Sequence, residues 1–148
     1  MSAYILVPAI LVVADVAANR TALKFLLLPP LGALTYLLFV NPGNVPMNIR
    51  RVVICPAATA AFAWALANTL GYNAPSVALA TIGTMIIMYV LRADLLVPPL
   101  ALALLTVLLH NEVHGRPDYI LSVFVFTTVL YAIHRAWLRL PSGPQEGD

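Results

Sequence analysis

Residues 26–39 read LLLPPLGALTYLLF, and residues 95–109 read LLVPPLALALLTVLL. Each is an uncharged apolar run interrupted by a proline pair, Pro29-Pro30 in the first and Pro98-Pro99 in the second. Runs of this length and hydrophobicity read as helices surrounded by lipid or protein. A proline lacks the backbone N–H and crowds the turn before it, so two in succession predict a break in each helix. Carbonyls freed at a break are not tolerated against hydrocarbon, only against protein or a wet cavity. Both segments are therefore expected in the interior.

Working outward, six apolar segments stand out: Tyr4–Ala18, Ala22–Val40, Val52–Leu70, Ser76–Leu91, Leu95–Leu109 and Tyr119–Leu138. The separators are short and hold the charges and breakers, as in Asn19-Arg20, Asn41 to Arg51, Gly71 to Pro75, Arg92 to Asp94 and His110 to Asp118. Of the 148 residues, 61% are hydrophobic and 9% charged, with a mean hydropathy of +0.91. Soluble domains are about a quarter charged and roughly half apolar. Eight basic and six acidic side chains do not cover a water-solvated surface, so the bilayer is the expected solvent. The expectation is an all-α integral membrane protein. A single polytopic domain would span residues 1–140, followed by a disordered polar tail at 141–148. Segments 2, 3 and 6 reach the roughly 20 residues of a span; the shorter segment 5 is expected inside the bundle. Segment 1 has no basic residue in Met1–Ala3 and carries Asp15 where a cleavage site would begin. It is expected to be a retained helix rather than a signal peptide.

Displacing the chain on itself by 69 residues superposes the two Pro-Pro pairs and brings Leu31 onto Leu100 and Gly32 onto Ala101. Segment 1 then falls on segment 4 and segment 3 on segment 6. If all six segments span, the halves form a 3+3 inverted repeat, an arrangement whose broken helices point to a transport site. If the Pro-Pro segments are re-entrant, the repeats run parallel instead.

A helix restarting after a break presents free N–H groups and the positive end of its dipole. Gly32 and Ala101 would let a small anion approach that backbone, with Thr35 and Thr106 as hydroxyl donors along the path. The bland alternatives are tight helix contact for the small residues and a bond to the i−4 carbonyl for each threonine. Arg50 and Arg51 read either as interfacial anchors or as an anion funnel at a pore mouth. Ala57, Ala61 and Ala65 predict a groove for a neighbouring helix, and Thr81, Thr84, Met85 and Met88 share a face around Gly83. Cys55 is the single cysteine, which excludes an intramolecular disulfide and a cysteine-built metal site. His110, Glu112 and His114 do not have zinc spacing. No metal, no cofactor and no catalysis are expected, since nothing pairs a nucleophile with a base. A net charge of +2 gives no footing for nucleic acid.

The order of these features resembles the HPP family of small integral membrane proteins. Pro29-Pro30-Leu31-Gly32-Ala33 followed by LTYLLF looks like an earlier element of that family. Asn48, after the loop Pro42–Pro46, resembles its Pro-x-Asn turn. Val97-Pro98-Pro99 sits where the His-Pro-Pro element belongs, with Val97 in place of the histidine; Arg51-Val52 stands where the family tends to have small residues. The likeness runs from about Lys24 to Arg139. It implies a small-anion transporter or channel, with nitrite as substrate. The competing expectation is a non-transporting scaffold or assembly subunit of a larger membrane complex. Pairing Arg50, Arg51, Arg92, Arg135 and Arg139 on one side predicts cytoplasmic termini in the cell membrane. So few short helices predict a homo-oligomer, a dimer above all.

Overall fold

The structure, a computed structural model, describes residues 3–20, 29–40, 48–93, 98–109, 111 and 114–139. Among these residues every regular element is helical. The order is α1 (Ala3–Arg20), α2 (Pro29–Val40), a π-helical turn (Arg50–Ile54) leading into α3 (Cys55–Thr69), α4 (Ala74–Val90), α5 (Pro98–Leu108) and α6 (Asp118–Trp137). One helix therefore lies in each of the six apolar segments. The described parts of α2 and α5 begin at their proline pairs. The stretches ahead of them, 21–28 and 94–97, and the tail 141–148 lie outside the described residues, and so do the expected breaks.

Local chemistry sets the remaining boundaries. Asn48 begins the third helix: its Oδ1 accepts the Arg51 N–H at 3.1 Å and its carbonyl accepts the Val52 N–H at 3.0 Å. Pro56 has no N–H to give the Val52 carbonyl, and its ring crowds that carbonyl. The helix opens to a π turn there, with the Cys55 N–H reaching back to the Arg50 carbonyl. At the far end, Gly71 takes φ +66, the left-handed conformation that ends a helix without strain. Asn73 then joins the two helices. Its Nδ2 donates to the Leu70 carbonyl at 2.7 Å, while its Oδ1 caps α4 by accepting the Ser76 N–H at 2.8 Å.

α3 is the hub, packed on α4, α5 and α6; α5 packs on α2, α3 and α4; α2 packs on α1, α5 and α6. Leu34, Leu38, Val52, Leu102, Val107, Tyr119, Val123 and Leu130 are almost wholly buried. The small residues that bring helices onto α3 are Ala60, Ala63 and Ala67. The expected stripe of Ala57, Ala61 and Ala65 is only half-buried or exposed. Alanines stand on every side of this helix, so composition left its phase open. The shared face expected on α4 divides in the same way: Thr84 and Met88 are buried, and Met85 is 58% exposed. Gly83 is needed where α3 and α4 meet, because a Cβ there would overlap the Phe62 ring.

Among the described residues, two helices, Arg50–Thr69 and Asp118–Trp137, are long and apolar enough to cross a membrane. The Gly115 N–H donates to Asn68 Oδ1 at 2.7 Å, which ties the start of α6 to the end of α3. The Arg50–Ile54 turn also packs on α6, so α6 runs back along α3 and finishes near that turn. The start of α3 and the ends of α4 and α6 thus share one end of the bundle.

Candidate anion pocket

At that shared end, a pocket of about 380 Å³ is lined by Asn48, Arg50, Arg51 and Ile54 from the start of α3 and by Val90, Leu91 and Arg92 from the end of α4. Antiparallel geometry brings them together. The third helix, with its π turn, is 20 residues long, α4 has 17, and a tight turn joins them. The chain therefore returns to the level at which it left. Three arginines line it, and the described lining carries no carboxylate. The first turn of a helix adds unsatisfied N–H groups and a partial positive charge. Arg50 and Arg92 are exposed and Arg51 is half-buried. An arginine fork presents paired donors that match planar or tetrahedral oxyanions.

Arg92 has φ +53, the only described residue other than glycine in the left-handed region. Its N–H bonds the Tyr89 carbonyl at 3.0 Å and the Ala93 N–H bonds the Met88 carbonyl at 2.7 Å. These are the two bonds of a Schellman turn, in which Arg92 occupies the position usually given to glycine. The apolar contact of that motif is present as well, since Met88 and Ala93 pack together with Cys55. A left-handed residue with a Cβ costs roughly 1–2 kcal/mol.

Of the residues expected at the site, Asn48, Arg50 and Arg51 do converge, but Asn48 spends one side-chain oxygen on the helix start. Arg92 was foreseen only as a charge on the same side; the signal that would have found it is the near-equal length of two helices joined by a short turn. The remaining candidates have different surroundings. Gly32 faces α1, where a Cβ would meet Leu11 Cδ2 at 3.9 Å, an ordinary contact. Ala101 is exposed, whereas Pro99 and Thr35 are buried. The Thr106 hydroxyl donates to the Leu102 carbonyl at 2.6 Å and also bonds the Tyr119 hydroxyl. Gly32 and Ala101 therefore do not share one environment, and Thr106 is tied into the packing of α5 against α6. The side chains of Pro29, Pro30 and Pro98 lie outside what is described.

A second recess of about 320 Å³ runs between α1 and α6. Ala9, Val13, Ala14, Val129 and Leu130 are among its lining residues, which are all apolar. No group of three or more His, Cys, Asp or Glu residues among those described is arranged to hold a metal ion. His134 is buried, edge-on to Phe39 with ring centroids 5.5 Å apart.

No family model matches the chain, and neither a curated protein nor a solved structure matches it.

Proposed function

We propose that this chain is a polytopic membrane protein that carries a small inorganic anion across the bilayer, with the arginine-lined pocket as its mouth. The observation that carries the reading is the convergence of Arg50, Arg51 and Arg92 from two helices on one cavity. Nitrite is the first anion to try, on the strength of the resemblance to the HPP family. A membrane setting is supported by large apolar side chains turned outward, among them Tyr89 at 76%, Val90 at 69% and Val13 at 68% exposed. Water would penalise such a surface; lipid would not. Arginines gather at the pocket end, where α6 also finishes with Arg135 and Arg139. By the excess of positive charge, that end is cytoplasmic in the cell membrane. The proposed working assembly is a homodimer.

The inverted-repeat reading draws support from which helices touch. Exchanging α1 with α4, α2 with α5 and α3 with α6 turns the α1–α2 contact into α4–α5 and the α2–α6 contact into α3–α5, all of which exist. The α2–α5 and α3–α6 contacts map onto themselves. Burial repeats too, at displacements one and two residues short of the 69 that superposes the proline pairs. Leu34, Thr35, Leu38 and Phe39 in α2 match Leu102, Ala103, Thr106 and Val107 in α5, all buried and 68 residues apart. Cys55, Thr59, Ala60, Ala63 and Ala67 match Ser122, Phe126, Thr127, Leu130 and His134, again all buried and 67 residues apart. The remaining pair of equivalents differs: α3 packs directly on α4, with an apolar recess of about 390 Å³ beside Phe62 and Gly83, whereas a recess of about 320 Å³ runs between α1 and α6. In an inverted-repeat transporter, exchanging two such states moves access from one side to the other.

Flux in proteoliposomes holding only this protein tests the reading. Nitrite uptake well above that of empty vesicles is expected, and Arg50→Gln, Arg51→Gln and Arg92→Gln together should remove most of it. No uptake of nitrite or another small anion would reject it. The second reading, a scaffold subunit, is favoured by the open apolar groove, which has the shape to receive a partner's helix.

A further inference from the structure

We propose that the pocket between the start of α3 and the end of α4 is a built site for a phosphate group, with Arg92 as the residue that fixes its ligand. This goes beyond the transport reading and does not depend on it. A phosphate group can be held here whether or not an anion crosses the membrane.

The case begins with Arg92. Its backbone sits in the left-handed conformation at φ +53, at the one position of a Schellman turn where glycine fits without strain. A cation at a helix C-terminus gains from the dipole, yet one in the preceding turn would gain it equally in an unstrained conformation. What this position provides is an arginine on the far wall of a pocket whose near wall holds Arg50 and Arg51. Strain held at a charged residue beside a cavity is the kind of outlier from which a ligand role is inferred.

Size and charge then select the ligand class. A phosphate group points its oxygens tetrahedrally, and each ionised oxygen accepts more than one N–H, so arginines on two walls of a pocket can share it, the diester of a lipid headgroup included. A volume of about 380 Å³ also far exceeds the roughly 30 Å³ of one water molecule, so the site holds a group with something attached or hydrated. Ile54 and Val90, 44% and 69% exposed, supply an apolar wall next to the cations. That combination suits the headgroup phosphate of an anionic lipid, whose glycerol and chain would cover the wall. Free phosphate offers the same oxygens without the apolar part.

The test uses the full chain purified in a neutral detergent and reads its thermal melting. Three additions are compared: inorganic phosphate, mixed micelles with phosphatidylcholine alone, and mixed micelles containing phosphatidylglycerol. The wild type is expected to melt higher with phosphatidylglycerol or with inorganic phosphate than with phosphatidylcholine. A response to phosphatidylglycerol alone identifies a lipid ligand, and a response to inorganic phosphate identifies a soluble one; either supports the site. Arg92→Gly should melt higher than the wild type without additions, because the strain is gone. It should need about tenfold more ligand for the same upward shift, as expected when one charge-assisted contact is lost. Arg92→Ala should lose the response equally without the gain in basal melting. No response of the wild type to either phosphate source overturns the proposal, as does a wild-type response in Arg92→Gly. A phosphate response in a protein without anion flux would leave this site standing and remove the transport reading alone.

Discussion

Thr106 and Tyr119 share a hydrogen bond in the buried contact between the chain segments of α5 and α6, and Tyr119 is among the largest wholly buried side chains. Removing either hydroxyl breaks this buried bond, whose net worth is about 0.5–1.5 kcal/mol. Thr106→Val and Tyr119→Phe are each expected to lower the melting temperature in detergent. The double variant should lose less than the sum, since both changes delete the same bond. Additive losses would mean that the hydroxyls act separately. At the pocket, Arg51→Gln is expected to reduce nitrite flux modestly at low salt and hardly at all near 1 M salt, where charge attraction is screened beyond about 3 Å. Equal loss at both ionic strengths would make Arg51 a direct ligand rather than a steering charge.

Between elements, the closest fit is that of Phe62 in α3 over Gly83 in α4. Gly83→Ala puts a methyl group where the ring lies, so either the ring moves or the helices part; overpacking of this kind costs about 1–3 kcal/mol. The expected result is a lower melting temperature, partly restored by Phe62→Leu in the same chain. Should Gly83→Ala melt like the wild type, α3 and α4 are not held as tightly as the ring position implies. A methyl group at Gly32 has room, because Leu11 lies at contact distance. Gly32→Ala should therefore fold normally, and so serves as the control for a glycine lost from a helix.

For the whole molecule, the unequal halves yield a test of motion. Val129 lines the groove between α1 and α6 and is 52% exposed, so a larger side chain there fills space that is now open. Val129→Trp is expected to leave melting unchanged within a degree or so while cutting flux at least about tenfold, because the groove can no longer close; alternating access requires such rocking of one repeat on the other. Normal flux in this variant would favour a static channel. Reporter fusions at Met1 and Asp148 are expected on the same, cytoplasmic side; a split result would rule out an even number of spans.

The positions of the six helices described above were legible in the residues alone. Uncharged apolar runs bounded by elements such as Gly71, Asn73 and Pro75 leave the chain few choices, since hydrogen bonding within a helix satisfies the backbone wherever water is scarce. The breaks expected at the proline pairs lie against residues outside those described, and the repeat that their spacing suggested stands as a proposal. Which way each helix faces was not legible. Phase is read from contrast between polar and apolar sides, and α3, with alanines at 57, 58, 60, 61, 63, 65 and 67, has almost none. Packing chose Ala60, Ala63 and Ala67, turned Ala101 outward and set Gly32 against α1. The basic pocket arose in the same way. Arg50 and Arg51 stood in the sequence as one pair and Arg92 as an isolated charge, and only the antiparallel return of α4 along α3 brought the three to one cavity.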